Sequence, residues 1–273
     1  MPRTKTGGAG VLPARRALRG GRDALGLPLP GEVHVWCASL DEPAAARRVR
    51  RHLAPDELAR AARFVRSEDR VRSIVARGIL RELLSGYVGG APGELRFEYP
   101  CACGVAGCGL TRRKPRLAGG LDVRFNVAHS EGLALFAFAS RREVGVDLER
   151  IRARVDRTAV AEQFLAPAEA RALDRLAPRA RRSAFFRCWT RKEAYVKARG
   201  EGLSRPFDRF EVTLAPHERV RLVDRDDATA ASRFTLVDLG GLAGFAAALA
   251  VEGSIDDLRR FTVAPARTAR VGP

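Results

Sequence analysis

A strand, two helices and then several strands follow one another twice along this chain of 273 residues, with the second round starting near Glu143. Residues 32–39 (EVHVWCAS) alternate as a first strand, with Val33, Val35 and Cys37 on one face. Pro55 and Asp56 suit the first turn of a helix whose apolar stripe is Leu58, Ala61, Ala62 and Val65. A second helix over 67–87 spaces Val71, Ile74, Val75, Ile79, Leu80, Leu83 and Leu84 by three and four, and the glycines and proline of 89–93 end it. Strands follow at 95–99, 125–130 and 133–139. The second round reads as a strand at 143–150, helices at 159–176 and 180–200, and strands at 210–214, 220–223, 234–239 and 244–251. A period this long implies two α+β subdomains, residues 31–141 and 142–264, and excludes a solenoid. No residue identity between the two rounds is obvious. Residues 1–30, rich in Arg, Gly, Pro and Ala, read as a disordered basic arm, and 265–273 as a loose tail.

The net charge is +17, and all but Lys5, Lys114, Lys192 and Lys197 of the 49 basic residues are arginine. Heavy Ala, Gly and Pro use beside that arginine points to GC-rich coding, yet the field still attracts phosphates and acidic proteins. Nucleic acid is one such partner, but zinc-finger spacing, RNP-like aromatics and basic-region heptads are missing. No apolar run reaches the roughly 18–20 residues of a membrane span, and the start carries no secretory signal. The expectation is a cytoplasmic monomer without membrane contact. Cys37, Cys101, Cys103, Cys108 and Cys188 are too few for a disulfide scaffold. Cys101, Cys103 and Cys108 have no nearby histidine and read as reduced loop thiols rather than a zinc site.

Within 143–150, Val146 and Leu148 share one strand face, and Asp147 and Glu149 share the other, about 7 Å apart. Such a pair is half a site for a hard divalent cation such as Mg²⁺; taken alone it reads rather as the solvated face of an edge strand. On the later helix, Trp189, Glu193 and Lys197 stand at i, i+4 and i+8 and line one face. The Trp places that Glu–Lys pair in a partly buried setting. His129 shares its strand face with Phe125 and Val127, a position more usual for a core histidine than for a ligand. Asn126 is the sole asparagine. No P-loop, GxGxxG, HExxH or GxSxG occurs, so a nucleophile has to come from the substrate.

Three ordered blocks, 125–130 (FNVAHS), 145–149 (GVDLE) and 189–197 (WTRKEAYVK) followed by Gly200 and Gly202, resemble the Sfp-type 4′-phosphopantetheinyl transferases. The likeness runs from about residue 32 to 251. It implies a pseudo-dimeric α+β fold with its active site in the cleft between the halves. It implies Mg²⁺-dependent transfer of the 4′-phosphopantetheine arm of coenzyme A to a serine of an apo acyl or peptidyl carrier protein, with release of 3′,5′-ADP. By resemblance, Asp147, Glu149 and Glu193 hold Mg²⁺, and Glu193 serves as or orients the base. Lys192 and Lys197 contact phosphates. His129, with Arg60, Arg72 or Arg77, binds a coenzyme A phosphate, and Lys114 and Pro115 lie near the adenine. Ala128 replaces a serine common among relatives. The competing readings are a basic nucleic-acid-binding protein and a coenzyme A binder without transferase activity.

Overall fold

The computed structural model describes residues 25–100, 114–152, 164–202, 205–216 and 220–265. Most of the expected arm and tail, the cysteine loop and part of the helix expected at 159–176 lie outside them. Strand β1 (Glu32–Ser39) leads through helices α1 (Pro43–Val49), α2 (Pro55–Ala62) and α3 (Ser67–Val88) to a small ribbon of β2 (Phe97–Glu98) and β3 (Arg116–Leu117). Strands β4 (Val123–Ser130) and β5 (Leu133–Ser140) complete the first half. The second comprises β6 (Val144–Arg150), α4 (Pro167–Asp174), α5 (Pro178–Arg199), a ribbon of β7 (Phe210–Val212) and β8 (Leu222–Asp224), α6 (Ala230–Arg233), β9 (Phe234–Asp238) and β10 (Phe245–Glu252). Their sheets run β1-β5-β4 and β6-β10-β9, the same order.

Strand alternation builds four layers. Trp36, Phe136 and Phe138 point from the first sheet into a core closed by α1 and α3. Val33, Val35, Leu135 and Ala137 point the other way, against Val146, Leu148, Leu249 and Val251 of the second sheet. On the far side of that sheet, Ala248 and Ala250 pack with Tyr195, Val196 and Ala198 of α5. The two long helices therefore lie outermost and the two sheets meet face to face.

Three details depart from the sequence expectations. Helix α1 was not anticipated. Val65, expected on the stripe of α2, lies past its end and is 97% exposed. Strand β11 (Asp257–Thr262) pairs in parallel with β1, so the 142–264 unit gives its last strand to the first sheet.

The halves also share a residue-level repeat that the sequence reading missed. Leu53-Ala54-Pro55-Asp56-Glu57 opens α2 and Leu165-Ala166-Pro167-Ala168-Glu169 opens α4. In each, the glutamate turns back and accepts the N–H of the alanine before the proline at 2.8 Å. Each is then buried against the fifteenth residue of the following 22-residue helix, Arg81 at 2.8 Å or Lys192 at 2.6 Å. That cation also donates to two carbonyls bracketing a short 3₁₀ turn: Pro92 and Leu95, or Phe207 and Phe210. One latch therefore ties short helix, long helix and following loop together in both halves. Among the described residues, no helix is long and apolar enough to cross a membrane.

Candidate active site

The site forms where β6 lies on α5. A Cβ at Gly145 would overlap the Ala194 carbonyl oxygen and the Ala198 amide nitrogen, so only glycine lets strand and helix backbones touch. Asp147 and Glu149 follow on the same strand face. Lys197 Nζ donates to Asp147 Oδ1 at 2.6 Å. Asp147 is 4% exposed, and its Oδ2 is buried without a hydrogen-bond partner. Glu193, one helical turn before Lys197, is buried as well. Trp189 sets this helix face by packing against Phe164, Phe185 and Phe207.

The electrostatics couple the group. Burial pushes the Asp147 carboxyl up against the pull of Lys197. Burial and then Asp147 raise Glu149. Burial lifts Glu193 to about 7, with Lys197 opposing and Asp147 and Glu149 adding to the rise. His129 is exposed on β4, from the other half. Desolvation of its ring, with Lys197 and Arg72, holds it below the ordinary imidazole value while Asp69 opposes. Arg72 and Lys197 thus bring positive charge beside the three carboxylates and keep the His129 imidazole toward its neutral form.

The carboxylates are not gathered into a ready ligand set. Among the described residues, no group of three His, Cys, Asp or Glu side chains is placed to hold a metal ion. The donor chemistry nevertheless suits a hard cation: three buried or half-buried carboxylates with raised pKa, and one carboxylate oxygen with nothing to bond.

Several sequence-assigned contacts need correction. Lys192 is fully buried, and its ammonium is occupied by Glu169, Phe207 and Phe210, so it holds the fold and does not reach a phosphate. Arg77 binds Glu57 and lies 3.8 Å over the Phe97 ring, which makes it part of the first-half latch. Lys114 Nζ is bound to Glu143 at 2.6 Å and to the Val144 and Ala198 carbonyls, so its charge joins β6 to α5. Pro115 follows it, half-buried, ahead of β3. Arg72 stays near His129, paired with Asp41 at 2.6 Å. Arg60 is exposed on α2, 3.8 Å from Asp56.

Two residues of the seam between the halves went unrecognised. Asn126, Ala128 and Ser130 share one face of β4, alongside β6. Asn126 Oδ1 accepts the Val146 N–H at 2.9 Å, and Ser130 Oγ accepts the Arg150 N–H at 3.0 Å. These side chains join the halves on either side of Asp147, in place of a backbone ladder. Their i, i+4 spacing on one strand face, between buried neighbours, was the available signal. Ala128 is buried in the same seam, which a methyl group fills.

A profile of the 4′-phosphopantetheinyl transferase superfamily (ACPS) matches residues 143–250, the span from β6 to β10. The chain is 38% identical over 198 residues to the 4′-phosphopantetheinyl transferase HetI of Nostoc sp., covering 71% of this chain and 79% of HetI. It is 32% identical to the putative 4′-phosphopantetheinyl transferase slr0495 of Synechocystis sp., over 65% of this chain and 68% of that one. It is 25% identical to the 4′-phosphopantetheinyl transferase Sfp of Bacillus subtilis, over 67% of this chain and 77% of Sfp. These matches show that the chain belongs to the 4′-phosphopantetheinyl transferase family.

Proposed function

We propose that this protein transfers the 4′-phosphopantetheine arm of coenzyme A to a serine of an apo acyl or peptidyl carrier protein, with Mg²⁺, and releases 3′,5′-ADP. The observation that carries the reading is the buried Asp147 with an unpartnered Oδ2, set beside Glu149, Glu193 and Lys197. Asp147, Glu149 and Glu193 would hold Mg²⁺, which supplies neutralisation of charge developing on the diphosphate. Lys197 and Arg72 would present positive charge to the coenzyme A phosphates, and His129, held toward its neutral form beside them, would offer a ring N–H. The carrier serine oxygen forms a bond to the phosphorus bearing the arm, and the bond from that phosphorus to the oxygen of 3′,5′-ADP breaks. Glu193, poised near neutral pH by its burial, accepts the serine proton. Two substrates of one sign fit the net charge of +17, since coenzyme A is a polyanion and carrier proteins present acidic helices.

Intact-mass analysis after incubation with coenzyme A, Mg²⁺ and apo carrier proteins of fatty-acid, polyketide and nonribosomal-peptide type tests this. One added arm on at least one carrier is expected. Asp147→Asn should retain the fold and lose transfer by on the order of a hundredfold or more. No mass gain on any carrier overturns the proposal.

A further inference from the structure

Ser130 ends β4, and its side chain stands between the backbone of β6 and one of the β6 carboxylates. Its Oγ accepts the Arg150 N–H at 3.0 Å and lies 3.1 Å from Glu149 Oε2. A hydroxyl has one proton. With the Arg150 N–H donating into the oxygen, that proton is left for the carboxylate, so the bond to Glu149 runs in one direction. Ser130 is 6% exposed, which keeps competing water away. Its backbone is fixed independently, because Ser130 pairs with Leu133 across a tight turn made by Glu131, at φ 52°, and Gly132. The Gly132 carbonyl accepts the Leu40 N–H at 2.7 Å, tying that turn to the loop that follows β1. The hydroxyl is therefore a fixed donor, while Glu149 is half-buried on a flexible stem.

We propose that Ser130 is a positioning residue that sets the orientation of the Glu149 carboxylate and thereby the divalent-cation affinity of the Asp147–Glu149 pair. The inference rests on the proposed function, in which these carboxylates hold the metal. Asn126 supplies an internal control. It makes the same kind of bond across the seam, to the Val146 N–H at 2.9 Å, and no carboxylate contact of its side chain is seen among the described residues. A purely structural role for Ser130 predicts that Ser130→Ala and Asn126→Ala behave alike.

The test is Mn²⁺ binding to the full chain in the presence of coenzyme A, read as loss of the free-ion electron paramagnetic resonance signal, beside melting temperature and the Mg²⁺ dependence of transfer. Ser130→Ala should weaken Mn²⁺ binding about 10–100-fold and raise the half-saturating Mg²⁺ to match, while saturating Mg²⁺ recovers most of the turnover. Ser130→Thr, which keeps the hydroxyl, should restore both. Asn126→Ala should melt earlier with wild-type Mn²⁺ affinity. If Ser130→Ala fails to fold, because it strands the Arg150 N–H, Ser130→Cys fills the same space with a weak donor and gives the same loss of affinity. Wild-type Mn²⁺ affinity in the folded Ser130 variant, or an equal loss in Asn126→Ala, overturns the positioning role and leaves the transferase reading intact. A wild type that neither binds Mn²⁺ with coenzyme A nor modifies a carrier overturns both.

Discussion

The two halves of this molecule share a strand order and a buried latch, yet they fill corresponding positions in opposite ways. On β1, the side chains facing α3 are His34, Trp36 and Ala38. His34 and Trp36 meet the Tyr87 hydroxyl at 2.8 and 2.9 Å, and Trp36 and Ala38 belong to the core there. On β6, the residues facing α5 are Gly145, Asp147 and Glu149. The twentieth residue of α3 is Gly86, against which Leu25 packs, and the twentieth of α5 is Lys197. The first half closes its strand–helix interface with aromatic and aliphatic groups. The second places there two carboxylates that burial makes costly to ionise. Similar scaffolding thus closes with packing in one half and, in the other, with the buried carboxylates on which the proposed function rests.

The sharpest way to break this symmetry is at the latch. Glu57 is held by Arg81 and Arg77, whereas Lys192 is the cation within bonding reach of Glu169 among the described residues. Lys192→Met should therefore cost about 3–5 kcal/mol, as expected when one partner of a buried pair is removed. Arg81→Met should cost less, because Arg77 remains. Urea unfolding compares them, and the folded fraction of Lys192→Met should keep the wild-type KM for coenzyme A. Equal losses would remove Arg77 from the first latch, and a raised KM would return Lys192 to the phosphates.

A second contrast separates packing from chemistry. Gly78 of α3 admits Val49 of α1, as Gly145 of β6 admits the backbone of α5. Alanine at either position overfills a close contact and should cost about 1–3 kcal/mol. Gly145→Ala should in addition push β6 from α5 and separate Asp147 from Lys197. A displacement near 1 Å lowers transfer about a hundredfold. Gly78→Ala should lose stability with nearly normal turnover in the folded protein. Similar turnover in the two variants would mean that the spacing of β6 and α5 does not matter to the reaction.

What was legible in the sequence follows from the range of each interaction. Strands β1, β5 and β10 and helices α3 and α5 were readable because their apolar patterns are local and long. Strand and helix spacing made it readable that Asp147 and Glu149 share one face and that Glu193 and Lys197 share another, whereas only the resemblance brought the two pairs together. Strand β11 was not, since Asp257-Leu258-Arg259-Arg260-Phe261-Thr262 is a charged stretch whose pairing with β1, and the packing of Phe261 on Trp36, join residues far apart in the chain. Lys192 was misassigned because its neighbour in sequence, Glu193, turns to the site while Lys192 turns toward Glu169, a contact no local pattern reveals. The partners of the Lys114 ammonium, Glu143 and the Ala198 carbonyl, were unreadable for the same reason, lying far along the chain. The Leu-Ala-Pro-x-Glu repeat was visible as letters, and only the burial of both glutamates gives it weight.

The smallest expected difference between the halves is their response to acid. Burial alone would raise Glu57, but Arg81, Arg77 and the Ala54 N–H hold it below the ordinary value. Burial raises Glu169 despite Lys192 and its two backbone N–H donors. The signs oppose. A depressed folded pKa gives Glu57 a stabilising contribution that is complete above its unfolded value and is lost as pH falls through the folded one. A raised folded pKa makes ionised Glu169 a cost, which acid relieves. Relative to wild type, Glu57→Gln should therefore be less stable at neutral pH, with the gap shrinking as pH falls through the unfolded carboxylate range and then the lowered folded value. Glu169→Gln should show the reverse slope, its disadvantage growing as pH falls through the raised Glu169 value. Urea midpoints followed from neutral pH down through the whole carboxylate range read both, Glu169 above the unfolded value and Glu57 below it. Parallel slopes would show that the two latches, alike in geometry, are also alike in charge.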